Sequence, residues 1–168
     1  MRLIPRALKL VVATAVAFLL IAAPASASPP LQGSGESMIT GLVVGSDRSP
    51  GASSNSIQER TLTGIVTSGP LAGGSFEQTV IGMVRPNGQV TFQGHLIYTG
   101  PVQGCGEEIH TLHLAVQAGH GLGGEPPEFP ATRANVRVIS DSDSTITGHG
   151  TIVQVGFSLS YDIRYRCG

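Results

Sequence analysis

Tryptophan is absent, and phenylalanine and tyrosine together make up only 5% of the 168 residues. A core must therefore be assembled mainly from valine, leucine and isoleucine, each contributing about 2 kcal/mol when buried. Charge is also sparse, at 12%. It forms no basic block, so nothing offers the electrostatic footprint of a nucleic-acid binder. Two cysteines are too few for a disulfide-rich scaffold or a thiolate zinc site. No apolar run reaches the roughly 20 residues that span a bilayer. Beyond residue 27, no stretch of ten or more positions has helical periodicity. G-x-S-x-G, H-E-x-x-H, the phosphate loop, the calcium loop and the N-x-S/T glycosylation acceptor are all missing.

What is present begins with a leader. Arg2, Arg6 and Lys9 accompany an apolar stretch over 10–23, broken only by Thr14, and Ala25-Ser26-Ala27 supplies a small-x-small site. This is the layout of a secretory signal peptide over 1–27, cleaved near Ala27. An uncleaved anchor is the alternative, but the apolar run is short for one. The expected mature chain is extracytoplasmic or secreted, with no stable membrane span. Losing the leader's three cations leaves 7 basic against 11 acidic residues, a net charge of −4 with histidines neutral. In that chain Arg164 and Arg166 are the only basic residues close in sequence, and both fall on a wet strand face.

The fifteen residues over 153–167 alternate throughout: Val153, Val155, Phe157, Leu159, Tyr161, Ile163, Tyr165 and Cys167 share one parity. Strand side chains repeat every two residues, so this pattern is a β ribbon with one apolar face. Fully extended it would span about 50 Å, which predicts a bend or bulge at Gly156. Further strands are predicted at 61–67, 75–85, 89–99, 108–117, 131–140 and 144–152. Pro86-Asn87-Gly88 is the strongest turn signal, because Asn-Gly tolerates positive φ. Residues 28–57 read as a loose N-terminal arm with one possible strand over 37–44, and 58–168 as the folded domain. About eight antiparallel strands joined by short turns predict an all-β, up-and-down barrel; a two-sheet sandwich is the alternative.

The run TLTGIVTSGPLAGGSFEQTVIGMVRPNGQVTFQG, followed by Cys105-Gly106, resembles small secreted bacterial proteins built on glycine-punctuated β meanders. Their barrels are of the allene oxide cyclase and lipocalin-like type. The likeness spans about 58–168 and rests on turn pattern and composition. It implies a barrel able to hold an apolar ligand, and no functional residue is carried over with it.

An even pair of cysteines in a secreted chain predicts a Cys105–Cys167 disulfide. His110 and His113 form H-x-x-H, but residues three apart on a strand face opposite ways, so neither a metal site nor a cofactor is expected. Glu107, Glu108 and His110 are the densest titratable cluster. If a strand begins at Glu108, then Glu108 and His110 share a face, and Tyr161 could place a hydroxyl in the same interior. Two readings follow. The favoured one is a non-enzymatic binding or envelope-associated module, taking a small apolar ligand or a surface partner. The other is a small cyclase, isomerase or hydrolase with Glu108, His110 or Tyr161 acting at the barrel mouth.

Overall fold

The computed structural model describes residues 29–48, 55–122, 132–139 and 144–168. The expected leader over 1–27, the Gly/Pro-rich stretch 123–130 and the expected turn at Asp141-Ser142-Asp143 lie outside them. The described chain forms eight strands: β1 Leu31–Arg48, β2 Ser56–Val66, β3 Ser75–Val84, β4 Gln89–Pro101, β5 Ile109–Leu122, β6 Thr132–Val138, β7 Thr147–Val155 and β8 Ser158–Arg166. Each pairs antiparallel with the next, and β1 pairs with β8 to close a barrel. Closure removes both sheet edges, which a sandwich would leave exposed. The Pro86-Asn87-Gly88 turn forms as its residues predict. Gly88 has φ 80°, and the Asn87 Oδ1 accepts the Gln89 N–H at 3.1 Å.

Closure depends on β1, and here the sequence reading needs correction. Residues 31–36, expected within a loose arm, pair with β8 from Leu31↔Tyr165 to Glu36↔Ser160. They carry no apolar alternation because two inward positions are Gly33 and Gly35. A Cβ on Gly35 would collide with the Tyr161 ring and the Ser68 carbonyl. The missing side chains thus leave room for a ring and a loop. Past Ser37 and Met38 the same strand turns to β2, with register shifts between Ile39 and Gly41 and between Val44 and Asp47. Such bulges bend a strand enough to serve two neighbours. The barrel therefore starts at Leu31, not near residue 58.

The closing ribbon is also two strands. Gly156, at φ 60°, and Phe157 form the β7–β8 turn, with Val155 opposite Ser158. A two-residue loop reverses the parity of the inward face. Leu159, Tyr161 and Tyr165 are buried, whereas Val155 and Phe157 are exposed. The predicted break at Gly156 is where the chain reverses, and the unbroken alternation runs across a turn.

The inward face is aliphatic along most of the barrel. Leu62, Val66, Val80, Leu112, Leu114, Val116, Val136 and Leu159 are buried together with Phe76, Tyr98, Tyr161 and Tyr165. Ser37, Gln78 and His110 are the buried polar residues among those described.

Candidate binding cavity

One end of the barrel is sealed by two loops, residues 67–74 between β2 and β3 and residues 102–108 between β4 and β5. Three tyrosines reach up from the core to hold them. The Tyr98 hydroxyl lies 2.6 Å from the Pro101 carbonyl and 3.0 Å from that of Leu71. Tyr161 donates to the Ser68 carbonyl at 2.7 Å and accepts the Leu71 N–H at 3.2 Å. Tyr165 donates to the Gln103 carbonyl at 2.7 Å. Each ring fills the core while its hydroxyl satisfies loop backbone that would otherwise be stranded. Burial pushes all three hydroxyls above the ordinary phenol value of 10.0. Val102, 1% exposed, plugs the centre. The Cys105–Cys167 disulfide, with Cα atoms 5.2 Å apart, ties the second loop to the chain just past β8. The predicted pairing is present.

The other end is built differently. Among the described residues it is framed by the β3–β4 hairpin and the Gly156-Phe157 turn, which lead to a cavity of about 70 Å³. Val80, Gly82, Val90 and Phe92 give this mouth an apolar wall, while Gln58, Arg60, Thr132 and Gln154 add polar groups. Arg60 donates from Nη2 to the Gln58 Oε1 at 2.9 Å, and Gln58 reaches the Asp47 carboxylate from Nε2 at 3.4 Å. Gln154 donates to the Gly156 carbonyl at 3.1 Å. This rim is held in place by its own hydrogen bonds.

Beyond the mouth lies a second void of about 70 Å³, walled by Phe76, Leu96, Leu112, Leu114 and the three tyrosines. Gln78 lines both spaces. A third pocket of about 10 Å³ beside it shares Phe92 and Gln154 with the mouth, and Ile152 and Leu159 with the inner chamber. Gln78 is only 3% exposed, and its Oε1 has no hydrogen-bond partner. An unpaired buried amide oxygen costs about 1–3 kcal/mol. Among the described residues it is the one unsatisfied polar atom lining both chambers.

The residues singled out from the sequence do not converge here. β5 begins at Ile109, one residue later than the shared-face reading needs, and Glu107 and Glu108 are exposed. His110 is buried, but it lines neither chamber. Its Nδ1 faces the Ser144 hydroxyl at 3.3 Å, while its Nε2 is enclosed without a partner. His113 points outward and stacks on His95, ring centroids 5.7 Å apart. The two histidines of H-x-x-H therefore face opposite ways, as strand geometry requires. Tyr161 does border the inner chamber, with its hydroxyl committed to the sealing loop. Gln58, Arg60, Gln78 and Gln154 were missed. Their signal was available as a polar residue on an otherwise apolar parity, as in Phe76-Gln78-Val80.

No protein-family model matches the chain, and no curated protein matches it in sequence.

Proposed function

We propose that this chain is an extracytoplasmic binding protein that admits one small, mostly apolar molecule through the mouth into the barrel. The observation that carries this reading is the unpartnered Gln78 amide oxygen set between two voids. An apolar chamber supplies affinity by removing ligand surface from water, and a single buried acceptor supplies orientation. Taken together, the chambers approach the roughly 150 Å³ that accommodates one benzene ring. A one-ring molecule bearing a hydroxyl fits, because a hydroxyl can serve either end of the Gln78 amide. The disulfide supports the oxidising compartment that the leader implies.

The enzymatic alternative draws less support. Glu108 sits in solvent and the buried His110 lines neither chamber, so this pair does not support acid/base chemistry at a shared substrate position. Calorimetric titration with p-cresol and with toluene tests the binding reading. Saturable p-cresol uptake is expected, stronger than toluene by about tenfold for one buried hydrogen bond. Gly82→Leu, which places a side chain in the mouth where a Cβ meets nothing closer than 3.5 Å, should abolish uptake while the fold persists. Equal uptake by Gly82→Leu would place the ligand elsewhere and sink the interior site.

A further inference from the structure

Arginine is unevenly placed on this barrel. After the leader the chain has seven arginines and no lysine. Four of them, Arg133, Arg137, Arg164 and Arg166, are exposed on β6 and β8. Register concentrates them further. Arg137 lies directly opposite His149, and His149 directly opposite Arg164, so three basic side chains form one row across β6, β7 and β8. Arg166 follows two residues on, opposite Thr147. Neighbouring strands are about 4.8 Å apart, which sets Arg137 and Arg164 roughly 10 Å from each other with His149 between them.

Arg137 and Arg164 thus stand on one sheet face two strands apart, where like charges repel. One described carboxylate, Asp162, borders the row and offsets it only in part. Asp162, two positions from Arg164 on the same face, accepts from the Ser34 hydroxyl at 3.1 Å. The row borders an open groove of about 690 Å³, lined also by Ser144, Thr145 and Thr147. Two or three guanidinium forks beside hydroxyl groups form a donor set for a tetrahedral oxyanion, which arginine binds through paired N–H groups. The sequence showed only Arg164 and Arg166, which look like an ordinary wet face. It is β6 and β7 that bring Arg137 and His149 alongside.

We propose that the outer groove over β6–β8 binds a phosphate or sulfate group of a soluble molecule, held by Arg137, Arg164 and Arg166. This site is separate from the barrel interior and does not depend on the interior reading. A multiply charged oxyanion matches two or three guanidinium groups best.

The test uses the folded chain and inorganic pyrophosphate, titrated calorimetrically at low ionic strength. Saturable binding tighter than about 1 mM is expected. Arg137→Gln and Arg164→Gln should each weaken it about tenfold, as expected for a lost charge-assisted bond. Arg85→Gln, in the β3–β4 hairpin, should leave it unchanged. In the absence of ligand, Arg164→Gln should raise Tm by about 2 °C as repulsion is relieved. Equal weakening by Arg85→Gln would mean diffuse attraction and overturn the site. So would a fall in Tm for Arg164→Gln without ligand, which would make the arginines structural. Tighter association with phosphatidylglycerol vesicles than with pyrophosphate would replace a soluble ligand with a membrane surface and overturn the proposal as well.

Discussion

The two ends of this barrel solve opposite problems with the same strands. At the sealed end every tyrosine hydroxyl is tied to loop backbone, and a disulfide locks the second loop to the C-terminal residues. At the mouth, glutamines and an arginine hold one another around an opening, and one buried amide oxygen is left over. The sealed end commits its tyrosine hydroxyls to loop backbone, although the His110 Nε2 there is also left without a partner, whereas the mouth bonds its polar groups to one another. Unsatisfied buried groups and voids weaken a fold. On the proposed reading, the covalent and loop anchoring lies at the sealed end and recognition would lie toward the mouth.

That division can be broken by substitution. The largest effect should come from the double change Cys105→Ser and Cys167→Ser. Releasing a link across 62 residues should cost about 4 kcal/mol in the chain-entropy account, measured by urea unfolding without reductant. Alkali should act next, and on the same end. The folded-state pKa values of Tyr98, Tyr161 and Tyr165 are raised by burial. Their contribution is therefore complete below the unfolded value near 10 and is lost as pH climbs above it. Stability measured from pH 9 upward should stay level and then fall past pH 10; a flat profile to pH 12 would show that the hydroxyls are not sealed. Tyr161→Phe should cost about 2 kcal/mol, because it strands the Ser68 carbonyl and the Leu71 N–H while keeping the ring. The smallest effect has the opposite sign. Gln78→Leu should stabilise the ligand-free protein by up to about 1 kcal/mol while abolishing the preference for p-cresol over toluene. Destabilisation by Gln78→Leu would erase the contrast between the two ends.

Much of the barrel was legible from parity and turns. β2 to β4 follow alternation in the sequence, and Asn87-Gly88 marks their second hairpin. The first half of β1 was not legible, because its inward places at Gly33 and Gly35 are empty so that Tyr161 and the 67–74 loop can approach. The last two strands were misread as one ribbon. Val153 and Val155 point outward, yet they share odd numbering with Leu159 and Tyr161, and numbering parity says nothing across a two-residue turn. The site was the least legible part. Its polar residues are distributed one or two to a strand, and only closure of the sheet brings Gln58, Gln78 and Gln154 to the same space. The disulfide was readable because oxidised chains with two cysteines have one pairing to make.

Clustering the tyrosines has one more consequence, for how this molecule looks in a spectrometer. With no tryptophan in the chain, the tyrosine absorption band and tyrosine emission come from three rings, all at the sealed end. An optical melting curve of this protein will report when the floor of the barrel gives way and will be blind to the opening of the mouth. A guest without a phenol ring would leave tyrosine emission unchanged if confined to the rim, whereas one that passes Gln78 would touch the tyrosines. The chain therefore carries its own depth gauge.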